Sequence, residues 1–316
     1  MTHKQFVLLG KEMLTPVYGE READALVRTL LQEVAGLGVY DYIMYPDKDL
    51  NDTAQLVGYL QRLEAGEPLQ YILGYAHFCG HKFKVTKNTL IPRPETEYLV
   101  NLIAGRHGVS SAVNSSGREP GSPLRIMDLC TGSGCIAWSL ASIFSNSRVW
   151  GCDISAAALA VAQGQGSEDF VGKQKNTPEF FEVDLLSEGA LKAIEVAIDR
   201  CVDDGFTATD GLDIMVSNPP YVLEEEKVFM QRNVLEHEPH LALFVDNSTP
   251  LLFYDKIVTL GTSLLKEGGE LWFEINEGFA NEVVSLMNSR GFVGCMAMDD
   301  LNGKKRFVRG TWRIKN

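Results

Sequence analysis

The second part of the chain alternates short apolar runs with stretches of helical periodicity, and this alternation limits the possible folds more than any other feature. The runs include LRIMDLC from Leu124, RVWGCD from Arg148, LDIMVSN from Leu212 and ELWFEIN from Glu270. Strands joined by crossover helices pair in parallel, so the pattern predicts an α/β fold: a mainly parallel sheet with helices on both faces. Two more strand-like pieces flank the turn Asn302-Gly303 and predict an antiparallel closing hairpin.

The segment before this alternation has a different character. Residues up to about 75 show helical periodicity in several short pieces. One further helix is expected from Asn51 or Asp52, which can cap it, to about Ala65, where Gly66 ends it. The first part of the chain is therefore predicted to form a small helical bundle.

A strand pair and a helix are predicted between the bundle and the α/β segment. Phe78 and Phe83 indicate extended segments with a turn at Gly80, and Glu95 and Glu97, just after a Pro-Arg-Pro sequence, favour the start of a helix through about residue 104. We therefore predict a helical domain over residues 1–76, a hairpin and linker helix over 77–106, and an α/β domain over 107–316. A mobile surface loop rich in Ser, Gly and Pro is expected from Gly108 to Pro123.

The composition argues against several classes of protein. The 316 residues, 45% of them hydrophobic, suffice for the cores of two domains. No apolar run approaches the roughly 18 residues of a membrane span, and the N-terminus lacks the apolar stretch of a signal peptide, so a cytoplasmic location without membrane contact is predicted. The formal net charge of −13 disfavours a nucleic-acid partner, because an acidic surface repels a polyanion. The compact basic run Lys304-Lys305-Arg306 is too short to overcome this repulsion.

The cysteines are scattered along the chain without a close-set pair of pairs, which predicts reduced thiols. Cys79-x-His81 lacks the second ligand pair that a zinc site needs, so no metal site is predicted. The six cysteines are Cys79, Cys130, Cys135, Cys152, Cys201 and Cys295.

A glycine turn follows the first strand of the α/β segment. Asp128-Leu-Cys-Thr-Gly132-Ser-Gly134-Cys-Ile-Ala137 leads from a strand into a helix, and its glycines let a ligand approach the backbone closely. Asp153 ends the next strand, 19 positions after Gly134, where a carboxylate can accept hydrogen bonds from both hydroxyls of a ribose. This spacing fits a nicotinamide dinucleotide as well as S-adenosylmethionine, so the two cofactors are not separated at this stage.

The deciding element is Ser217-Asn218-Pro219-Pro220-Tyr221, which follows the apolar strand from Leu212 to Val216. The carboxyl ends of the strands line the ligand crevice in a doubly wound sheet, so this segment and the glycine turn are expected to face the same space.

The chemistry of a planar NH₂ group explains why these residue types are needed. The lone pair of an amide or aromatic amine is delocalised, and the nitrogen is a weak nucleophile. If the Asn218 side-chain oxygen and the Pro219 carbonyl each accept one N–H, the lone pair is aimed at a sulfonium methyl, and both oxygens stabilise the positive charge that grows on nitrogen. Pro219 and Pro220 have no N–H that competes for these acceptors, and Tyr221 can lie against the flat target group.

These motifs resemble those of class I S-adenosylmethionine-dependent methyltransferases with the Asn-Pro-Pro-Tyr signature, specifically the protein-glutamine methyltransferases that modify peptide chain release factors. The similarity runs from about residue 60 to the end, whereas the amino-terminal bundle matches in general character only. The segments similar to the family's other landmarks are Gly66–Gly74, Leu90–Glu97, Glu238-Pro239 with Leu241–Leu243, and Gly268–Leu271.

The resemblance implies a Rossmann-like class I methyltransferase sheet, an amino-terminal helical domain that recognises the protein substrate, and methylation of the glutamine amide nitrogen in a Gly-Gly-Gln motif of class 1 release factors. S-adenosylmethionine is the implied cofactor and S-adenosylhomocysteine the product. The predicted catalytic residues are Asn218, Pro219, Pro220 and Tyr221. The predicted cofactor-binding residues are Asp128, Cys130, Thr131, Gly132, Ser133, Gly134, Asp153, Ile154, Asp184, Leu185 and Asn218.

Two positions depart from the family pattern. Many members have glycine where Cys130 stands, and in this respect the chain is similar to sister enzymes that act on a ribosomal protein, although the Arg-Pro-Glu-Thr-Glu linker resembles the release-factor group. Leu185 stands where some relatives have an aromatic residue near the adenine.

Other functions share part of this pattern. An adenine-directed nucleic-acid methyltransferase can use the same four residues, with Tyr221 stacked on a flipped base, but the acidic charge and the missing basic track argue against it. A nicotinamide-dependent oxidoreductase fits the glycine spacing and Asp153, yet it leaves Asn218 to Tyr221 unexplained. A binding protein without catalytic activity on the same fold is the third alternative.

Overall fold

The computed structural model describes residues 1–108, 122–167, 176–200 and 207–314 of the chain. The greater part of the predicted loop between Gly108 and Pro123 lies outside the described residues, and so does Cys201. The chain forms two compact units. The first comprises Met1–Gly74 and Gln231–His237, and the second comprises Tyr75–Met230 and Glu238–Asn316.

The secondary structure alternates as the sequence pattern indicates. The α-helices are α1 His3–Ala35, α2 Val39–Met44, α3 Thr53–Glu64, α4 Leu69–Leu73, α5 Pro94–His107, α6 Cys135–Ile143, α7 Ala156–Gln163, α8 Ala190–Arg200, α9 Arg232–His237, α10 Leu252–Leu264 and α11 Ala280–Ser289. The strands are β1 Tyr75–Phe78, β2 His81–Lys84, β3 Leu124–Leu129, β4 Ser147–Asp153, β5 Glu179–Glu182, β6 Leu212–Ser217, β7 Val222–Leu223, β8 Phe244–Val245, β9 Leu265–Glu274, β10 Phe292–Asp299 and β11 Lys305–Trp312.

The first unit is helical, and its apolar core confirms the predicted bundle. Helix α1 is interrupted at Gly19, whose left-handed φ of 77° is not helical. The two arms of α1 approach each other closely at Gly10, where a Cβ atom would lie 2.5 Å from Val27 Cγ2. Helix α3 occupies the segment for which a helix from Asn51 or Asp52 was predicted. The fully buried core side chains of this unit include Phe6, Leu14, Leu30, Leu31, Leu56 and Leu60.

The second unit is built on a seven-stranded sheet in the order β10-β11-β9-β6-β3-β4-β5. Strands β9, β6, β3, β4 and β5 pair in parallel, whereas β11 lies antiparallel to both β9 and β10. This topology confirms the predicted mainly parallel sheet with an antiparallel closing hairpin. It also confirms the predicted α/β fold class, in which this sheet is accompanied by an amino-terminal helical domain.

Helices cover both faces of this sheet. Successive side chains of a strand point to opposite faces, so neighbouring residues of one strand pack against different helices. Ile126 of β3 packs in one apolar cluster with side chains of α5 and α6, and the next residue, Met127, packs in the other cluster with side chains of α8, α10 and α11. Strands β3 and β6 are almost wholly buried, which explains their continuous apolar runs.

The order of the strands locates a crevice. The chain runs from β3 to β4 and β5 on one side of the sheet and then crosses to β6, on the other side of β3. A switch of this kind separates the loops that follow β3 and β6, and ligands of doubly wound sheets bind in that gap, at the carboxyl ends of the strands.

The smaller features of the second unit also agree with their sequence patterns. Strands β1 and β2 form the predicted hairpin, with Cys79 and Gly80 at its turn in left-handed conformations (φ 48° and 77°). The basic run is paired with acids, because Lys304 Nζ lies 3.0 Å from Glu277 Oε1 and Lys305 Nζ lies 2.9 Å from Asp299 Oδ1. Among the described residues, no helix combines the length and apolarity needed to cross a membrane.

Candidate active site

A cavity lies at the carboxyl ends of β3, β4 and β6, beside the switch in strand order. Two segments of the second unit complete its wall: residues 88–96, which lead into α5, and residues 239–242. Most of the predicted site residues line this cavity, namely Cys130, Thr131, Gly132, Ser133, Asp153, Ile154, Asp184, Leu185, Asn218 and Pro220. The predicted site residues Asp128, Gly134, Pro219 and Tyr221 belong to the described chain but do not line the cavity.

The glycine turn is shaped by left-handed backbone conformations. Cys130, Gly132 and Gly134 have φ values of 60°, 55° and 78°. Gly134 also has no room for a side chain, because a Cβ atom would lie 3.0 Å from Ala162 Cβ and 3.1 Å from Phe180 Cζ. Cys130 has a left-handed backbone conformation that glycine adopts more easily. Burial raises the pKa of the Cys130 thiol, so the thiol is un-ionised near neutral pH.

Asp128, buried in β3, accepts hydrogen bonds from the glycine turn and from the start of α6. Its Oδ2 atom accepts hydrogen bonds from Thr131 Oγ1 at 2.5 Å and from the Ala137 N–H at 3.2 Å, while Oδ1 is buried without a partner among the described residues. Burial raises the pKa of Asp128 to about 7, although both hydrogen bonds oppose the rise. The carboxyl group thus joins the end of β3 to the start of α6.

Asp153 accepts hydrogen bonds from the backbone of the glycine turn and of the residues that follow β4, and it also lines the cavity. Its Oδ2 accepts from the Gly132 N–H at 2.9 Å, and its Oδ1 accepts from the Ser155 N–H at 2.9 Å. Burial raises the pKa of this carboxyl, and the backbone donors oppose the rise. Each carboxylate oxygen can accept a second hydrogen bond, so Asp153 retains the capacity to bind ligand hydroxyls.

An apolar surface continues the cavity beside Asp153. Ile154, Leu185 and Phe253 line it, and a planar apolar ring system can pack between such side chains. Asp184 is turned to its own loop, where Oδ1 accepts from the Leu186 N–H at 2.9 Å.

The segment Asn218 to Tyr221 begins where β6 ends, and it is tied to the end of β3. Ser217 Oγ donates to the Leu129 carbonyl at 2.7 Å, which holds the starts of the two site loops together. Asn218 lines the cavity, and its Nδ2 donates to Thr96 Oγ1 at 3.1 Å. The rings of Pro219 and Pro220 are buried.

One buried carboxylate is linked to both ends of this segment, directly to Tyr221 and through Thr96 to Asn218. Glu274, at the end of β9, accepts from Thr96 Oγ1 at 2.7 Å and from Tyr221 Oη at 2.9 Å. Burial raises the pKa of Glu274, whereas the two hydroxyl donors and the charge of Arg306 lower it. Burial and the charge of Glu274 raise the pKa of Tyr221 well above its ordinary value, so the phenol keeps its proton and donates a hydrogen bond to Glu274.

A second buried carboxylate joins the two outer segments of the wall. Glu238 Oε2 accepts from the Ile91 N–H at 3.1 Å, and Oε1 accepts from Arg93 Nη2 at 2.5 Å. The side chain of Glu238 is only 1% exposed. It therefore holds the linker before α5 next to Pro239 and Leu241, and both segments line the cavity.

Comparisons with known proteins relate the chain to one family. Residues 9–74 match the PrmC N-terminal domain. The chain is 37% identical over 305 residues to the release factor glutamine methyltransferase of Flavobacterium psychrophilum, with 96% of each protein covered. It is 36% identical over 301 residues to the enzyme of the same name from Bacteroides thetaiotaomicron, with 94% of this chain and 96% of that protein covered. The chain belongs to the release factor glutamine methyltransferase family.

Membership of the release factor glutamine methyltransferase family confirms the resemblance identified from the motifs. The comparisons extend that resemblance, because the match to the PrmC N-terminal domain covers the bundle, for which the sequence analysis found only a general similarity. A crystal structure of a release factor-specific protein-(glutamine-N5) methyltransferase from Alicyclobacillus acidocaldarius is similar over 73% of this chain and 100% of that chain, at 24% identity and a TM-score of 0.40.

Several residues of the site were missed by the sequence analysis. Thr96 lies in the linker motif, but only its acidic neighbours were interpreted, as helix-starting residues. Glu274 and Glu238 are acidic residues that are buried in the structure. The sequence contains a signal for Glu274, because a glutamate near the end of the apolar run ELWFEIN indicates a buried charge with a partner. Phe253 lies in an ordinary helical pattern that carries no sign of a ligand.

The raised pKa of Asp128 predicts a stability difference that depends on pH. Because the folded-state pKa of about 7 lies above the ordinary 3.8, the unfolded chain releases this proton first, and the carboxyl group disfavours folding increasingly as pH rises from about 4 to about 7. Asp128→Asn keeps an oxygen acceptor but cannot ionise. Thermal unfolding between pH 4 and 8 is expected to show the Asn variant gaining stability relative to the wild type as pH rises, with exposed Asp47→Asn as control. A constant difference would contradict this assignment.

The Glu238 contacts predict a loss of stability on truncation. Glu238→Ala leaves the buried Ile91 N–H without its acceptor, which costs about 1–3 kcal/mol. Urea unfolding of the two purified proteins measures this difference. Glu236→Ala is the matched control, because Glu236 pairs with exposed Arg232 on the same segment, and it should change the stability little. Equal effects of the two substitutions would rule out the proposed role of Glu238.

Proposed function

We propose that this protein transfers a methyl group from S-adenosylmethionine to the side-chain amide nitrogen of glutamine in the Gly-Gly-Gln motif of class 1 peptide chain release factors. The names of its relatives support the choice of substrate and reaction. The observation that carries the proposal is that Asn218 and Asp153 line the same cavity, so an amide-binding group and a ribose-binding group face one space.

The residues of the cavity fit the proposed cofactor. Asp153 retains acceptor capacity for the two ribose hydroxyls, and the backbone of the glycine turn lies beside it. The apolar side chains of Ile154, Leu185 and Phe253 suit the adenine ring. When bound, S-adenosylmethionine supplies a methyl group that is already activated by the positive sulfur.

The chain itself has to orient a weak nucleophile. In the proposed mechanism the Asn218 Oδ1 atom and the Pro219 carbonyl each accept one N–H of the glutamine amide, which would aim the nitrogen lone pair at the methyl donor. Methyl transfer would form a nitrogen–carbon bond at the expense of the carbon–sulfur bond, and the two oxygens of this chain would stabilise the positive charge that develops on nitrogen. The extra proton then leaves to water, and S-adenosylhomocysteine is the second product.

Tyr221 has a proposed packing role against the flat amide. Its hydroxyl is held by Glu274, which fixes the ring, and the side chain is partly buried against the core. We assign no proton transfer to this phenol, because its pKa is raised rather than lowered.

We propose that the amino-terminal helical domain, predicted over residues 1–76, recognises the protein substrate. Helix α2 and the residue after it expose an apolar surface, which is typical of a protein-binding site. Its side chains are Val39, Tyr40, Ile43, Met44 and Tyr45, each between 46% and 65% exposed. The cytoplasmic location expected from the sequence stays a prediction.

Transfer of labelled methyl groups tests the proposed function directly. The acceptors are a purified class 1 release factor, the same factor with the glutamine of its Gly-Gly-Gln motif replaced, a ribosomal protein that carries a target glutamine, and DNA. We expect label in the intact release factor alone. Label in the ribosomal protein or in DNA but not in the release factor would overturn the proposal.

The proposed role of Asn218 predicts a defect in turnover rather than in cofactor binding. Asn218→Ala removes one of two acceptors for the amide, and the turnover number should fall by roughly 10²–10³. Calorimetry with S-adenosylhomocysteine should show a much smaller change in affinity. Asn281→Ala, on the exposed face of α11, is the control. A turnover number for Asn218→Ala equal to that of the wild type would exclude this mechanism.

A further inference from the structure

Asn218 can serve as an acceptor only if its carboxamide group is turned the right way round. The carboxamide has an oxygen on one side and an NH₂ on the other, and the two orientations have almost the same shape. In the reversed orientation an NH₂ would face the NH₂ of the substrate, and no hydrogen bond would form between them. The side chain therefore needs a neighbour that distinguishes its oxygen from its nitrogen.

Thr96 is the neighbour that makes this distinction. Its hydroxyl has a single hydrogen, and it uses this hydrogen in a hydrogen bond to Glu274 Oε2 at 2.7 Å. Toward Asn218 the same hydroxyl can then act only as an acceptor, and it accepts from Nδ2 at 3.1 Å. The Asn218 Oδ1 atom, on the opposite side of the carboxamide, accepts no hydrogen bond from the described residues and is left for a ligand.

Glu274 fixes the polarity of the whole chain of hydrogen bonds. An ionised carboxylate has acceptors and no donors, so both hydroxyls that touch it, those of Thr96 and Tyr221, must point their protons toward it. Glu274 is 1% exposed and Thr96 is 3% exposed, so the hydrogen bond between them is largely shielded from solvent. Burial raises the pKa of Glu274, whereas the hydroxyl donors Thr96 and Tyr221 and the positive charge of Arg306, in the neighbouring strand β11, lower it and favour the ionised form.

We infer that Thr96 and Glu274 are positioning residues: the carboxylate orients the Thr96 hydroxyl, and this hydroxyl turns the Asn218 carboxamide so that its oxygen faces the acceptor nitrogen. The inference rests on the proposed function, because it assigns a role to the contact between Asn218 and the substrate amide. Both residues are assigned an action through Asn218, so their substitution should alter the rate of methyl transfer much more than the affinity for the cofactor.

The test is a double-mutant cycle between Thr96 and Asn218. Thr96→Val keeps the shape of the side chain and removes its hydroxyl, and kcat should fall roughly tenfold to a hundredfold because the acceptor group is misoriented. Thr96→Ser keeps the hydroxyl and should restore kcat to within a few fold of the wild type. In an Asn218→Ala background, Thr96→Val should have no further effect, because Thr96 acts only through Asn218.

Glu274 is tested in the same way. Glu274→Gln leaves one acceptor oxygen for two hydroxyls, so the polarity at Thr96 is no longer enforced and kcat should fall. In a Thr96→Val background the same substitution should have a smaller effect than in the wild type. Calorimetry with S-adenosylhomocysteine should give wild-type affinity for all of these variants, and thermal unfolding shows whether each is folded. Thr96→Ala replaces the valine variant if the latter does not fold.

The possible outcomes separate this inference from the proposed function. A wild-type kcat for the hydroxyl-free variant, a serine variant no better than it, or an equal factor from Thr96→Val with and without Asn218 would each overturn the inference. Failure of the wild-type protein to methylate a release factor would instead overturn the proposed substrate. The cycle would then be measured on whichever NH₂-bearing acceptor the wild type methylates, where the same argument holds.

Discussion

The parallel pairing of β3 with β6 is the interaction on which the rest of the site depends. The two strands are distant in sequence, and each ends in a loop that carries functional groups: the glycine turn after β3 and Asn218 after β6. Their register aligns Leu129 with Ser217, and the Ser217 hydroxyl locks that alignment through the Leu129 carbonyl.

Buried carboxylates organise the site around this frame. Asp128 holds the glycine turn, Glu274 orients the residues beside Asn218, and Glu238 joins the two segments of the outer wall. A buried carboxylate is unfavourable unless hydrogen bonds compensate for the lost hydration. Each of these three accepts two hydrogen bonds, from hydroxyl, backbone N–H or guanidinium donors, so the cost of burial is offset by geometry that the cavity needs.

The family assignment and the geometry explain different parts of the function. Family membership connects the chain with enzymes named for release factors and glutamine. The geometry is compatible with the proposed chemistry: methylation of a planar amide would require acceptors rather than a strong base, and the carboxamide of Asn218 lines the cavity with its Nδ2 hydrogen-bonded to Thr96. Glu274 is linked to Asn218 through the Thr96 hydroxyl, and the proposed mechanism does not require it to remove a proton before methyl transfer.

Local patterns in the sequence were sufficient for the fold class, because strands and helices depend on residues close together in the chain. They also singled out the glycine turn, Asp153 and Asn218, which the structure brings to one cavity, whereas Pro219 and Tyr221 do not line it. The periodicity of apolar residues determines strands and helices, and the rule that parallel strands carry ligands at their carboxyl ends located the crevice. The contacts of Glu274 with Thr96 and of Glu238 with Arg93 span 178 and 145 residues and follow no local pattern. Only the tertiary structure decided which buried acid faces which donor, because a carboxylate becomes a positioning group only when folding removes it from water and brings particular donors to its two oxygens.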